Sequence, residues 1–323
     1  MIKKQILFSV GGLIVGVIIS YAVFSNRESS FTDTPIRIGG FKYISPLLAC
    51  GNSDGQQESD LKKIKDALNF SVQNNINNGK LSDASVYFRD MSSGHWVGVN
   101  EDELFWPASL MKVPTLIGVL KNIEDNPGIL QAQILYKNIK DENDNEHFRA
   151  VARAENGKTY SAEQLIDLMI RYSDNNSTVA LANVFTKEKL FDVYTDLGIP
   201  FPQEDGKLQN YMSPKTYSYF FRILYNAAYL NRKTSEYALD LLTKTDFNRG
   251  IVAGVPSDIK VAHKFGENND AHGKQLHDCG IIFYTGHPYL LCVMTKGDDY
   301  EKMSAGIADI SKTVYEQVVN DFK

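Results

Sequence analysis

The sequence has only 3 cysteines in 323 residues, and it carries no excess of positive charge. So few cysteines exclude a small scaffold held together by several disulfides. The 34 Lys and Arg residues against 39 Asp and Glu give a net charge of −5, which argues against nucleic acid as a partner. Internal repeats and low-complexity tracts are also absent. The 43% of hydrophobic residues excludes a disordered or fibrous chain and indicates a folded protein with a sizeable core.

The N-terminus contains a long hydrophobic run. Residues 6–24 are uncharged and follow a pair of lysines. A bilayer core of about 30 Å needs about 20 apolar helical residues, so the run predicts a transmembrane anchor over residues 5–25 in the lipid bilayer. The lysines place residues 1–4 on the cytoplasmic side and the rest of the chain outside. A signal peptide cleaved near Ala22 is the alternative, and it also exports the domain.

A linker is predicted to follow the hydrophobic run, over residues 26–60. It contains Leu47-Leu48-Ala49-Cys50, which resembles a bacterial lipobox. A polar stretch separates these residues from the apolar run that a lipobox normally closes. Lipidation of Cys50 is therefore a lesser alternative to the anchor.

The order of patterns beyond the linker predicts one α+β domain over residues 61–323. Apolar residues at spacings of three and four predict a first helix from Leu61 to Ile76. A hairpin, a mainly helical block at about 107–242, further strands and a closing helix follow. The expected architecture is an antiparallel sheet flanked by helices on both faces, in three layers, with an all-helical subdomain inserted in it. The expected strands are 86–90, 95–99, 260–263, 279–284 and 289–295, and the closing helix is 303–319.

Two of the three cysteines fall in the last predicted hairpin. A turn at residues 285–288 would place Ile281 opposite Cys292 and Cys279 diagonal to it. Diagonal neighbours lie about 7–8 Å apart, too far for an unstrained disulfide. We therefore expect two buried free thiols.

Three short motifs point to chemistry, and the first is S-x-x-K at Ser109 and Lys112. Residues three apart on a helix share a face, so the hydroxyl and the amine can meet. A serine becomes a nucleophile when a base takes its proton, and burial makes a lysine such a base by disfavouring the ammonium. By itself the motif also fits a helix start with a solvated lysine.

The second motif, Ser173-Asp174-Asn175, follows a helical run that a capping box at Ser161 opens. It offers a hydroxyl and a carboxamide at a helix–loop edge, and an ordinary N-cap for the next helix is the alternative. The third motif, Lys264-Phe265-Gly266-Glu267, is expected at the end of a strand. Its lysine supplies positive charge, and its glycine lets the backbone approach a ligand closely; an edge lysine that discourages strand pairing is the alternative.

Taken in this order, the motifs resemble the S-x-x-K, S-D-N and K-T-G set of the penicillin-recognising serine enzymes, and the class A β-lactamases most closely. The resemblance covers about Leu61 to Lys323. It implies an antiparallel sheet with an all-helical subdomain, a cleft between them and a location outside the cytoplasm. The implied function is acyl transfer through an acyl-enzyme, with a β-lactam as substrate and no cofactor.

The resemblance also implies roles for individual residues. Ser109 would be the acylated nucleophile and Lys112 its general base or part of the proton relay. Ser173 would pass a proton to the leaving nitrogen, and Lys264 would hold Ser173 and favour an anionic substrate. Substrate would contact Asn175, Phe265, Gly266 and Glu267, the oxyanion hole would be the backbone N–H groups of Ser109 and Glu267, and Asp174 would be structural.

The third motif departs from the family pattern. Phe265 stands where a hydroxyl would bind the substrate carboxylate, and Glu267 places a carboxylate nearby. Both changes put ordinary β-lactam recognition in doubt. They favour the alternative of a binding module that keeps the fold without turnover.

The second departure concerns deacylation. Class A enzymes carry an E-x-x-L-N stretch whose glutamate activates the hydrolytic water. Here the matching region, residues 200–210, has the wrong spacing, so Glu204 is a deacylation base or a solvated turn residue. Without a positioned base, hydrolysis would lose help worth about 10²–10⁴-fold. A D,D-peptidase-like enzyme that acts on cell-wall peptide is therefore the close alternative to a β-lactamase.

Two further patterns in the sequence fit ordinary structural roles. His272, His277 and Cys279 are spaced like zinc ligands, but no fourth ligand is evident, so we expect no metal. The aromatic residues of the helix near Tyr217 are expected in the core. We expect a monomer.

Overall fold

The computed structural model describes residues 36–49, 61–138, 140–185, 187–199, 210–270 and 273–321. Eight helices are described in these ranges: α1 (Lys62–Asn77), α2 (Lys112–Asp125), α3 (Ala162–Arg171), α4 (Asn175–Ala182), α5 (Lys187–Leu197), α6 (Pro214–Asn226), α7 (Arg232–Leu242) and α8 (Tyr300–Asp321). The strands there are β1 (Ile36–Arg37), β2 (Leu47–Ala49), β3 (Asp83–Asp90), β4 (Trp96–Val99), β5 (Gln133–Leu135), β6 (Thr159–Ser161), β7 (Val261–Asp270), β8 (Gly273–Ile282) and β9 (Tyr289–Gly297).

The central sheet has five antiparallel strands in the order β4-β3-β9-β8-β7. Strands from the start of the domain therefore pair with strands from its end, and the helical block α2–α7 lies between them in the chain. The antiparallel sheet and the expected helices are confirmed. The β3–β4 hairpin and the long terminal helices lie where the apolar periodicity predicts them.

Two hydrophobic cores cover the two faces of this sheet. One joins the sheet to the helical block and includes Leu116, Ile166, Phe220 and Leu290, all fully buried. The other joins it to α1 and α8 through residues such as Leu68 and Ile307. Each face of the sheet buries alternate side chains, which produces a three-layer arrangement. Four of the five aromatic residues of α6 are in the first core, as expected, but Tyr219 is 43% exposed.

The β8–β9 register corrects the expectation for the cysteines. Cys279 lies directly opposite Cys292, and the two form a disulfide within the first core. The expected turn was misplaced, because the chain reverses at Tyr284–His287, where the His287 N–H donates to the Tyr284 carbonyl. Gly286 supplies the positive φ of +80° there. This shift of the turn moves the cross-strand pairing by two residues, from Ile281 to Cys279.

The N-terminal predictions fall on residues that the structure does not describe. The hydrophobic run at residues 6–24, Cys50 and most of the linker lie outside the described ranges. Among the helices that are described, none is long and apolar enough to cross a bilayer.

Candidate active site

Ser109 lies in a short 3₁₀ turn, Ala108–Met111, that leads into α2. Leu110 and Val113 are fully buried on either side of Lys112 and fix this turn against the core. Ala108 has a φ of +49°, in the left-handed region that non-glycine residues avoid. Strain of this kind concentrates at functional sites, where the surrounding structure holds it in place.

Lys112 is the first residue of α2 and is 4% exposed. Its Nζ lies 2.6 Å from the Ser109 Oγ, and it also contacts the Asn175 Oδ1 and, at 3.4 Å, the Ser173 Oγ. Burial lowers the pKa of Lys112 from 10.5 to about 8, against an opposing effect of Glu146. The solvated alternative is wrong, because this lysine is enclosed and its amine is directed at the serine.

The Ser173-Asp174-Asn175 motif joins α3 to α4. Asp174 is the N-cap of α4, and its carboxylate accepts from the backbone N–H groups of Asn176 and Ser177. Ser173 precedes this cap with a φ of +59°. The capping interpretation and the site interpretation therefore both hold, because the cap positions Ser173 and Asn175 on either side of it.

Lys264 reaches the same place from the sheet. Its side chain is fully buried, and its Nζ donates to the Ser173 Oγ at 2.9 Å and to the Phe265 carbonyl at 2.8 Å. Burial lowers its pKa well below 10.5, and the nearby Lys112 adds to that shift. The expected strand end is wrong: β7 continues to Asp270, so Lys264 lies mid-strand, and its burial excludes the exposed edge-lysine interpretation.

Gly266 allows β7 to lie against the turn that contains Ser109. A Cβ built there would lie 2.7 Å from the Pro107 carbonyl oxygen, 2.8 Å from the Leu110 nitrogen and 3.1 Å from the Ser109 nitrogen. The close approach is thus between two segments of this chain. It brings the backbone of the third motif against the N–H of Ser109.

Phe265 and Glu267 flank this glycine. The Phe265 ring stacks on Phe247 with centroids 4.1 Å apart, and its centroid lies 4.2 Å from the Lys264 Nζ. Glu267 is 7% exposed, and its Oε1 accepts from the Phe148 backbone N–H at 2.8 Å. Burial and the neighbouring Glu146 raise the pKa of Glu267 from 4.5 to about 8.

A segment that no sequence pattern predicts borders this site; it comprises residues 136–138 and 140–158, and we call it the strap. Glu146 of the strap accepts from the Asn175 Nδ2 at 2.8 Å, and Phe148 bonds Glu267. Asn143 and Ala154 anchor the strap to the buried Asp174 carboxylate. No periodicity or motif marks these residues, because the described part of the strap, residues 136–138 and 140–158, has no helix or strand.

The remaining candidate residues lie elsewhere. His277 Nε2 contacts the Trp106 carbonyl and its Nδ1 accepts from Thr295, while Cys279 is in the disulfide. Burial lowers the pKa of His277 to about 4. Glu204 and His272 lie outside the described residues, and within those ranges no group of three metal-ligating side chains occurs.

The three motifs meet at the junction of the sheet and the helical block, in an α+β fold of the beta-lactamase type. The chain belongs to the beta-lactamase enzyme family Beta-lactamase2, whose model matches residues 65–318. No curated protein matches the sequence at a significant level.

Several solved structures share this fold. PBP-A aligns at 23% identity over 79% of this chain and 96% of its own, with a TM-score of 0.66. The class A beta-lactamase from Mycobacterium abscessus aligns at 21% over 79% and 99%, also at 0.66. A beta-lactamase from Sphaerobacter thermophilus aligns at 20% over 78% and 96%, again at 0.66. At these identities the likeness establishes the fold.

Proposed function

We propose that this protein is a serine hydrolase that forms an acyl-enzyme on Ser109 and acts on β-lactam or related amide bonds. The observation that carries the proposal is the buried Lys112 amine, which lies 2.6 Å from the Ser109 Oγ and has its pKa lowered to about 8. A nucleophile and a base within hydrogen-bond distance are the minimum for serine catalysis.

The geometry supports a specific proton path. Neutral Lys112 takes the Ser109 proton as the Oγ attacks the carbonyl carbon. The proton then passes to the leaving nitrogen through the Ser173 hydroxyl, which lies between the amines of Lys112 and Lys264. The C–N bond breaks, and the acyl group remains as an ester on Ser109. The backbone N–H groups of Ser109 and Glu267 would stabilise the oxyanion, each worth about 10²–10³ in rate.

Asn175 would hold the substrate amide, and Asp174 has a supporting role. Asn175 already uses both ends of its carboxamide: the Oδ1 contacts Lys112, and the Nδ2 donates to the Glu142 carbonyl and to Glu146. A substrate amide would replace Glu146 at the Nδ2. Asp174 fixes the loop geometry through at least four donors and does not contact Ser109.

The substrate class follows from the family and one structural neighbour. A PBP-A variant has been solved as an acyl-enzyme complex with penicillin G. A D,D-peptidase-like activity on cell-wall peptide is the second candidate. The wrong spacing around Glu204 favours it, because an acyl-enzyme without a positioned water-activating base persists.

We further propose that the domain is extracytoplasmic and held by residues 6–24. The support is the uncharged hydrophobic run after a lysine pair and the buried Cys279–Cys292 disulfide, since disulfides persist in oxidising compartments. Membrane fractionation of the full-length chain and of one lacking residues 1–25 tests the anchor. Equal recovery of both in the soluble fraction would contradict it.

The acyl-enzyme proposal is tested by intact mass spectrometry. The purified full-length chain is incubated with penicillin G and with its primary carboxamide, alongside a Ser109→Ala variant. We expect an adduct with at least one compound that the variant does not form. Rapid release with product indicates a β-lactamase, and a stable adduct indicates the peptidase-like activity. An adduct that survives Ser109→Ala, or none with either compound, contradicts the proposal and leaves the binding-module interpretation.

The role of Glu204 is tested by the release rate of the same adduct. If this residue activates the hydrolytic water, Glu204→Gln slows release by about 10²-fold or more. The neighbouring Asp205→Asn variant is the control for a nonspecific change in this loop. An unchanged release rate in Glu204→Gln removes the residue from the mechanism.

A further inference from the structure

The region next to Lys264 has an aromatic wall where the family pattern has a hydroxyl. Phe265 stacks on Phe247. Phe148 of the strap packs edge-on against both rings, with its centroid 5.1 Å from that of Phe247 and 6.2 Å from that of Phe265. None of these rings offers a donor to an anion. A carboxylate placed against them would lose its hydration without gaining a hydrogen bond, which is costly.

A pair of carboxyl groups lies beside this wall. Glu267 on β7 lies near Glu146 of the strap, and this acidic neighbour adds to the effect of burial in raising the pKa of Glu267 to about 8. Glu267 Oε2 is buried and receives no N–H or hydroxyl donor from the described residues. Glu146 Oε1 accepts from Asn175 Nδ2, the group that would hold the substrate amide. The pair thus presents acceptor oxygens and negative charge at the edge of the candidate site.

The cations of the site do not offset this charge for an incoming anion. Lys264 is fully buried and donates to Ser173 and to the Phe265 carbonyl, and burial favours its neutral form. Lys112 is directed at Ser109 and Asn175, and burial lowers its pKa as well. Both amines already have hydrogen-bond partners within the site, and the face of the Phe265 ring lies against the Lys264 Nζ, 4.2 Å from the ring centroid.

Arginines occur nearby, in a cavity of about 480 Å³ beyond the aromatic wall. Arg171 lies 3.3 Å from Asp167, and Arg249 pairs with Glu301. The third, Arg149, donates to the Asp144 carbonyl, and Asp246 also lines this cavity. Each arginine therefore already has a partner within the protein.

We propose that the acyl donor of this enzyme carries an N–H group, as an amide or an amine, where β-lactam antibiotics carry a carboxylate. The Glu146–Glu267 pair would accept a hydrogen bond from that group, and Phe265 would pack against it. This inference rests on the proposed acyl-enzyme mechanism and deepens it. It makes the two glutamates specificity-determining residues, and charge selection by repulsion is one of the ways in which a site discriminates.

The test compares penicillin G with its primary carboxamide, which differ only in the group that the pair would face. The rate of adduct formation on the full-length chain is measured by intact mass at pH 7. We expect the carboxamide to acylate Ser109 at least about tenfold faster than penicillin G, because contact between like charges in a binding site weakens the binding of the anion. Glu267→Gln and Glu146→Gln each replace a carboxyl oxygen with an N–H donor that a carboxylate can accept from. Each variant should therefore raise the penicillin G rate and narrow the ratio of the two acylation rates.

Glu155→Gln is the matched control, because this strap residue has a 60% exposed side chain and pairs with Lys158 at the surface. The ratio of the carboxamide rate to the penicillin G rate in Glu155→Gln should equal that of the wild type. Phe265→Ser should raise the penicillin G rate by restoring a hydroxyl.

Three results would overturn the inference. The first is that the wild type is acylated by penicillin G at least as fast as by the carboxamide. If Arg249→Gln then abolishes acylation by penicillin G, the cavity arginines bind the carboxylate. The second is a ratio that neither glutamine variant changes. The third is an adduct with neither compound, which overturns the acyl-enzyme mechanism as well. A normal penicillin G adduct with a reversed preference removes only the charge selection.

Discussion

Lys112 should control acylation through the fraction of its amine that is neutral. Burial lowers its pKa from 10.5 to about 8, and its Nζ lies 2.6 Å from the Ser109 Oγ. At pH 7 roughly one molecule in ten then carries the free base, against roughly one in 3,000 for an ordinary lysine. The buried environment therefore raises the concentration of active base by about 300-fold.

The expected pH profile follows from this value. The acylation rate should rise about tenfold per pH unit below pH 8 and level off above about pH 9, as the ammonium loses its proton. The assay is the rate of adduct formation between pH 6 and 9.5, with the primary carboxamide of penicillin G, whose own charge does not change in that range.

Substitutions separate the base from mere positive charge. Lys112→Ala and Lys112→Arg should both lose about 10²–10⁴ in acylation rate, because arginine keeps the charge but does not release a proton in this pH range. Lys121→Ala is the control on the same helix, since its side chain is 44% exposed and pairs with Glu124. A flat profile between pH 6 and 9, or wild-type acylation by Lys112→Arg, would refute the reasoning.

Three further predictions concern the elements around the site. Gly266→Ala should lower the unfolding free energy in urea by about 1–3 kcal/mol and slow acylation, because the added Cβ would clash with the turn that contains Ser109. Gly128→Ala is the control, because a Cβ there would have no atom within 4 Å. Equal effects of the two substitutions would contradict the prediction. Reduction of the Cys279–Cys292 disulfide should lower the unfolding free energy by about 3 kcal/mol, because the bond closes a loop with a sequence separation of 13. If mass spectrometry shows complete reduction and the unfolding curve is unchanged, the disulfide does not stabilise the fold. Glu267→Gln should remove a pH dependence of the unfolding free energy. The folded pKa of Glu267 is raised to about 8, so the folded protein holds a proton that the unfolded chain releases. This contribution to stability is fully present below pH 4.5 and is lost as the pH rises to about 8. Parallel stability curves for the wild type and Glu267→Gln from pH 5 to 8 would show that another group carries the effect.

Regular elements could be predicted because their side-chain periodicity is local. The spacing from Leu61 to Ile76 predicts α1, and the capping box at Ser161 marks the start of α3 to the residue. Strand lengths were less accessible: β7 extends to Asp270 because β8 pairs with its whole length. The pairing of β7 with β8 depends on residues distant in the chain, and no pattern in residues 264–270 predicts it.

The cysteine pairing shows how a small local error changes a chemical conclusion. A turn centred one residue away moves the partner of Cys292 from Ile281 to Cys279. The turn position depends on where the chain can adopt a positive φ, and Gly286 satisfies this at the third position of the Tyr284–His287 turn. The sequence contains that glycine, but the choice between two adjacent turns depends on the whole ladder.

Local patterns in the sequence predict the antiparallel fold with its helical block, and they contain the three motifs that supply Ser109, Lys112, Ser173 and Lys264. Patterns of three or four residues carry that information, since helix faces and strand faces repeat at fixed spacings. The burial of the two lysines, and the approach of Glu146 and Phe148 of the strap to Glu267, result from tertiary packing. Burial and pKa depend on which distant segments pack together, and they determine both the reactivity of Ser109 and the charge that a substrate meets.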